Sequence, residues 1–598
     1  MPVSMEKYDP LVIPAPVKGM NMNIDEESLP GSYAASMVNF IPNPLGSITL
    51  RNGTQKEEQY VDKVVLYVIP YMKQDGTEDY LTVCRNADPT KCDLFCHTTS
   101  LFTFSASARM WGFPCMGKLL LCDGLDPIQV FDETNVSVTP LSQQLTLGLK
   151  KNGENFSVVG NYYAGIHLNS HVYAFKNDTR YTVTIISPTI FNLTDQNGNQ
   201  PNISVNNQVT FVVYPPYSAF CTVIGGRFWL TGEGATSLEF KAKSQSMIIS
   251  YSFNLNTLTS FLDPKTGLMP VISLNNISSV FDSIDRIEQY KNFLVFFGKQ
   301  QIYLYNGFYP ETEGFGLFKA IPFGLYHCDL MKKTGEDIIF FSYGGIKKIS
   351  NVLGSSPSNS NVTIDVSISD INGLDLFVND IQRSITSTNY LYCSSAFYID
   401  KKQVMFKLGQ VETIIFSIFN EQYIPYLYSG DFTYSYALAE GRSIVYLAYK
   451  DSVLSYQEEK ENETDFLFGN ISFVWKSPTL NMDIKTFTTQ HMVINAECDP
   501  DFEVGIKNDS CSLIVDISGF NGINFSFSKS LSFQSAGDFL SGFDVRRVNN
   551  YGVLPSVEFK QSLSLGFNKA SITVRGESSS GRIKLKNISM RGIYSHGR

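Results

Sequence analysis

KNFLVFFGKQQIYLYNG, from Lys291 to Gly307, is the stretch that settles the fold class. Phe293 to Phe297 is an unbroken apolar run, a short polar turn follows, and Ile302 to Tyr305 is a second run of β-branched and aromatic residues. Both runs are too short for a helix, and their residue types suit a pleated surface. The pair reads as a β-hairpin whose strands are apolar on both faces, the pattern of inner strands in a sheet packed between two neighbours.

The same form recurs on either side, in KVVLYVIPYM (63–72), GKLLLCDGLDPIQVFD (117–132), HVYAFKN (171–177), GRFWLTGEGATSLEFKA (226–242), EDIIFFSYGGIKKIS (336–350) and RSIVYLAYKDSVLSYQ (442–457). Gly226, Asn292, Glu336 and Arg442 begin comparable units. Separations of about 45 to 110 residues match one or two units of a propeller-type repeat, whose blades occupy roughly 40 to 50 residues. The reading is an all-β chain with a β-propeller core over residues 61–475. Asn-Gly and Pro punctuation between Thr182 and Pro216 predicts a β-hairpin insertion near 182–216 that projects from it.

Beyond Trp475 the pattern changes to regular alternation, as in Ile572 and Val574 against Thr573 and Arg575, or Ile583 and Leu585 against Lys584 and Lys586. Half-buried antiparallel strands are expected there, forming a separate C-terminal β-sandwich domain over residues 476–598. Residues 1–60 carry Pro10, Pro14, Pro16, Pro30, Pro42 and Pro44, which favour extended chain and turns. They read as an extended N-terminal arm with one short helix between Ser28 and Phe40. Met37, Val38, Phe40 and Ile41 need a covering surface, which a neighbouring subunit or partner is expected to supply.

Composition narrows the function. A chain of 598 residues and 67.0 kDa exceeds one ordinary compact domain. Its 43% hydrophobic residues exclude global disorder, and no 18-residue apolar span or signal peptide is legible, so membrane anchoring and export are not expected. A net charge of -10 with no dense basic block argues against a surface that grips nucleic acid, while allowing DNA to pass without being held.

Chemical motifs are sparse. Cys84, Cys92, Cys96 and His97 form the one local concentration of soft ligands, but the gaps meet only half of a zinc pattern, and buried or free thiols are the expected reading, ahead of a metal site or a disulfide. His167 and His171 lack the intervening Glu of a zinc helix. His327 and Cys328, read as neighbours on a strand, would point to opposite faces and so could not act together. Asp370, Asp375 and Asp380 do not follow a calcium-loop register and are expected to face solvent. Nucleophile-elbow, dinucleotide and phosphate-loop motifs are absent. No catalytic residue, metal or cofactor is therefore expected; a carboxylate pair assembled from distant blades is the enzyme alternative.

Four passages resemble the tail hub and nozzle proteins of short-tailed bacteriophages, which include the packaged-DNA stabilisation proteins. MVNFIPNPLGSITLRNGT (Met37–Thr54) is similar to their early segment ending in an Arg-x-Gly-Thr unit, and FDSIDRIEQYKNFLVFFGKQQIYLYNG (Phe281–Gly307) to a characteristic blade. FSYGGIKKIS (Phe341–Ser350) resembles the hairpin after it, and GRIKLKNISMRGIYSHGR (Gly581–Arg598) the terminus. The resemblance implies a noncatalytic virion protein: a homohexamer forming the tail hub or nozzle ring beneath the portal and adaptor proteins, assembled in the host bacterial cytoplasm. Tail fibres or distal tail proteins are implied as further partners, and genomic DNA is implied to pass through the channel without tight binding. The chain departs from the family pattern in its cysteine cluster and in the long 182–216 excursion. The runner-up reading is a receptor- or glycan-binding β-propeller, and a secreted glycosidase ranks third.

Overall fold

A computed structural model describes residues 10–105, 110–159, 171–233, 247–252, 271–273, 284–308, 314–352, 373–384, 392–457, 465–499, 509–519, 524–533, 556–578 and 582–596, apart from 116, 178, 188–189, 205, 216, 336 and 483–484. They are overwhelmingly strand, so the all-β reading holds, and they divide into two compact units: Lys63–Cys328, and Met1–Asp62 with Asp329–Arg598. Among them no helix is long and apolar enough to cross a membrane.

The Lys63–Cys328 unit contains four-stranded antiparallel sheets, each built from strands consecutive in the chain. Val65–Met72, Glu78–Arg85, Cys92–Cys96 and Thr99–Phe104 form the first, and Trp111–Cys115, Lys118–Cys122, Gln129–Asp132 and Ser137–Pro140 the second. Ile284–Tyr290, Phe293–Gly298, Ile302–Asn306 and Gly316–Ile321 form the sheet that holds the deciding hairpin, with Phe297 opposite Ile302. Phe296 and Phe297 face opposite sides of it and are both fully buried, which is why the strand carries no polar alternation.

The excursion at 182–216 is larger than a hairpin. Gln143–Asn152, Asn155–Val158, His171–Lys176, Thr179–Ser187, Ile190–Thr194 and Asn207–Tyr214 close into a six-stranded barrel. Three strands joined in sequence are followed by Asn207–Tyr214, which returns beside the first of them, His171–Lys176, in Greek-key order. Closure leaves no open edge, and Leu147, Leu149, Phe156, Val172, Phe191, Leu193, Val209 and Phe211 fill the interior. The closing strand, QQLTLGLKKN, is inconspicuous in the sequence because it alternates leucine with polar or small residues and lacks the aromatic runs of its neighbours.

In the other unit the N-terminal residues are not a detachable arm. Ser36–Val38 is a strand between Gln422–Tyr428 and Ile471–Lys476 within a ten-stranded sheet, where a helix was expected. Met37 and Phe40 are fully buried and Val38 and Ile41 half-buried, so the surface that covers them belongs to the same chain. A residue chain with two edges to join favours a strand over a helical turn, and Asn39, at φ 61, redirects it into the next strand, Phe40–Asn43.

The strands expected to form a self-contained C-terminal sandwich are likewise shared. Arg582–His596 is hydrogen-bonded to Leu11–Pro14, Ser47–Leu50 and Lys485–Asp499, and Lys569–Ser578 to Ile471–Lys476 and Asp509–Gly519. Thr54–Gln59 completes a four-stranded sheet with Ala437–Glu440, Val445–Tyr449 and Ser452–Tyr456. One helix unforeseen from sequence, Asp375–Ser384, buries Val378 and Ile381, in helical spacing with Leu374 just ahead of it.

Candidate functional site: a buried arginine beneath an aromatic turn

The Arg-x-Gly-Thr unit, Arg51 to Thr54, lies between the strands Ser47–Leu50 and Thr54–Gln59 and is anchored at both ends. Arg51 is 1% exposed, and all five of its N–H donors are used. Nη1 and Nη2 donate to Asp465 Oδ1 and Oδ2 at 2.8 and 2.7 Å, and Nε donates to Asn39 Oδ1 at 2.8 Å. The remaining two protons go to the carbonyls of Asn52 and Ser429 at 2.6 and 2.8 Å. The guanidinium also sits 5.5 and 5.1 Å from the ring centroids of Tyr428 and Phe432. Such a pair offsets its desolvation only when every donor is satisfied, as here.

At the other end Thr54 donates its hydroxyl proton to Asp431 and accepts the Phe466 amide at 3.2 Å. Burial, and then the charge of Asp465, push the Asp431 carboxyl up to about 6. Gly430 between these groups has φ 76, and a Cβ there would lie 2.1 Å from Asp465 Oδ2, so glycine is required twice over. The short helix Asp431–Tyr434 is held from below by Lys407, whose buried Nζ donates to the carbonyls of Phe432 and Thr433 at 2.6 and 2.9 Å. Burial pushes that lysine down to about 7.

This base presents an apolar surface. The turn from Asp465 to Gly469, closed by the Gly469 amide on the Asp465 carbonyl at 2.9 Å, displays Phe466, Leu467 and Phe468 at 42, 41 and 48% exposure. Tyr434, half exposed, stacks on Phe468 with centroids 5.3 Å apart, and the Lys56 ammonium lies 5.1 Å from the Phe466 ring. DFLFG is inconspicuous in the sequence because three apolar residues are too few to register as a strand. The signal present was an aromatic pair between an acidic residue and a glycine.

A second surface lies on the barrel. Arg180, exposed, stacks with its guanidinium carbon 3.6 Å from the Tyr173 ring centroid. Tyr214 meets Tyr173 edge-on at 6.0 Å, and Tyr217 shares a side-chain hydrogen bond with Tyr173. Burial raises the Tyr214 phenol, while the Arg180 charge works against that rise.

The residues singled out for metal chemistry are placed differently. Cys92 and Cys96 point into the core of the first sheet with Leu81, Val83 and Phe104, whereas Cys84 stands opposite Asp93 and so occupies the other face. His97 is turned outward, 3.3 Å from Asp79. Burial pushes the Cys92 thiol up to about 12, which disfavours a thiolate. His167 and Asp370 lie outside the described residues; His171 begins a barrel strand, and Asp380 is exposed.

His327 and Cys328 correct the sequence expectation. They lie in a bend rather than a strand, and Cys328 Sγ sits 3.6 Å from His327 Nδ1. With Asp329, the next residue along the chain, they are the one group among the described residues whose ligand atoms fall within 4.8 Å of each other. Arg286 donates to the Cys328 carbonyl at 2.6 Å, a fixed positive charge at the same stretch of backbone. A cavity of about 280 Å³ elsewhere in the Lys63–Cys328 unit is floored by Tyr71, Leu119 and Phe131 and carries Lys118 and Glu133; with one carboxylate in its lining it does not offer a glycosidase pair.

No known protein family matches the chain, and no curated protein does. Among solved structures it is similar to virginiamycin B lyase from Staphylococcus aureus at 10% identity, covering 68% of this chain and 98% of the lyase with a TM-score of 0.26. It is also similar to Hsv2 of Kluyveromyces lactis, at 8% identity over 61% of this chain and 96% of that one with a TM-score of 0.24. An exo-β-1,3-galactanase from Phanerochaete chrysosporium shares 12% identity over 74% and 95% of the two chains, with a TM-score of 0.20. At these values the likenesses carry no argument about fold or activity.

Proposed function

We propose that this chain is a noncatalytic structural subunit of a short-tailed bacteriophage virion, six copies of which form the tail hub or nozzle ring through which DNA leaves. The observation that carries the reading is the exposed aromatic turn Phe466–Phe468 on its locked base. Clustered aromatic side chains on a rigid support are the usual anchors of protein assembly, and their rigidity lowers the entropy lost on docking. The acidic composition suits a wall along which DNA moves without being held.

A β-propeller core is part of the proposal. Its support is the succession of antiparallel sheets made from consecutive strands, and the last such sheet being completed by the N-terminal strand Thr54–Gln59. Portal and adaptor proteins above the ring, and fibres or distal tail proteins, are the partners this reading implies. Imaging the assembled tail tests it: sixfold rings of this chain are expected, and another copy number would reject the ring.

The receptor- or glycan-binding reading stands second, favoured by the arginine and tyrosines on the outer face of the barrel. The two readings are compatible in one chain, since the turn and the barrel belong to different units.

A further inference from the structure

We propose that the outer face of the barrel around Arg180 binds a sugar unit bearing a carboxylate, such as a uronic acid within an acidic polysaccharide. This rests on the glycan-binding reading and names the ligand class for it. Three observations converge. Strand register comes first: Arg180 pairs with Phe175, Thr182 with Tyr173, and Tyr173 with Val212, so Arg180, Tyr173 and Tyr214 run diagonally across the outward side of three adjacent strands. The inward side chains of the same strands, Val172, Ala174, Phe211 and Val213, are in the core.

The second observation is the state of the arginine. Arg180 is exposed and, among the described residues, has no carboxylate partner. The guanidinium carbon lies 3.6 Å from the Tyr173 ring centroid, so the group is held over the ring, and a guanidinium carries the planar N–H fork that takes a carboxylate bidentately. On a chain of net charge -10, an exposed cation with no carboxylate partner among the described residues is a local point of charge complementarity for such a ligand.

The third observation decides between a sugar and an acidic protein. The ground beside the stripe is hydroxyl-bearing: Thr146, Thr182 and Thr184 are exposed, and Thr210 lies 3.5 Å from Thr146 across the strands. Sugar hydroxyls find donors and acceptors there. A protein partner would instead favour a more apolar centre than this face provides.

The test uses the full chain and isothermal titration with oligogalacturonate, a neutral galactose oligosaccharide of equal length, and a poly-glutamate peptide. Binding of the uronate oligosaccharide is expected, weakened about tenfold to a hundredfold by Arg180→Gln and not restored by Arg180→Lys, which lacks the planar fork. Arg180 is exposed, so an unchanged melting curve will confirm that the variants fold. Tyr173→Phe, which keeps the stacking ring, is expected to retain most of the binding. Neutral oligosaccharide binding as tightly, with Arg180→Gln silent, would overturn this site but leave glycan recognition standing. Absence of binding to either oligosaccharide would overturn both, and equal binding of poly-glutamate would reassign the arginine to an acidic protein segment.

Discussion

Arg51 and Asp465, 414 positions apart in the chain, meet as a bidentate ion pair with side chains 0 and 2% exposed. Removing one partner leaves the other charge buried and alone, so Asp465→Ala is expected to destabilise its unit by about 3–5 kcal/mol. Arg51→Met combined with Asp465→Leu should cost less than Asp465→Ala alone, because no charge is stranded. Calorimetric melting of the three variants reads the order directly, and a double variant less stable than Asp465→Ala would contradict it.

The groups beneath the aromatic turn give opposite pH dependences. Asp431 is raised to about 6 from an unfolded value near 3.8, so its contribution to stability is present below the unfolded value and is lost as pH rises through about 6. Lys407 is lowered to about 7 from 10.5; its contribution is present above 10.5 and is lost as pH falls toward 7. Relative to wild type, Asp431→Asn should lose the decline between pH 4 and 6, and Lys407→Met the rise between pH 7 and 10. Melting temperature across pH checks both, and parallel profiles for variant and wild type would refute the assignments.

Phe466 and Phe468 are exposed, so Phe466→Ser with Phe468→Ser should leave the melting transition within about 0.5 kcal/mol of wild type. Assembly is expected to weaken by more than about tenfold if the turn anchors a subunit contact. Analytical ultracentrifugation with the adaptor present separates these effects, and unchanged assembly would remove the turn from the interface.

Cys84, Cys92, Cys96, Cys115, Cys122, Cys221, Cys328 and Cys393 are all buried and free. Burial raises the thiols of Cys115 to about 11 and of Cys92 and Cys393 to about 12. At neutral pH the native chain should therefore resist iodoacetamide at these eight positions and react once denatured. Peptide mass spectrometry would locate any exception.

Short-range information in the sequence carried the strands well. Phe293–Phe297 and Ile302–Tyr305 announce themselves, because hairpin pairing and two-sided burial act over a few residues. Pairings between distant segments left no such mark. Nothing in SMVNF says that Met37 lies beside Trp475, or that Arg51 needs an aspartate more than four hundred residues away, since those choices are made by packing and not by local pattern. The barrel was half legible for the same reason: its hairpins within 179–194 are local, whereas the strand that closes it begins at Gln143. Of the candidate site, the Arg-x-Gly-Thr unit was visible as a motif, but its role as an anchor for Asp465 and Asp431 was not.

The strand Thr54–Gln59 has a consequence for synthesis. Its neighbour Ser452–Tyr456 lies nearly four hundred residues downstream, with Gln59 donating to Asp451 across 392 positions. At roughly 5–20 residues per second, the ribosome releases that partner about 20 to 80 s after the first strand has emerged. For that interval the early strand stays unpaired, and a chain that stops before Ser452 never acquires its seam. Completion of this sheet thus waits until synthesis has passed Tyr456, and until then the strand Thr54–Gln59 needs protection from aggregation and proteolysis.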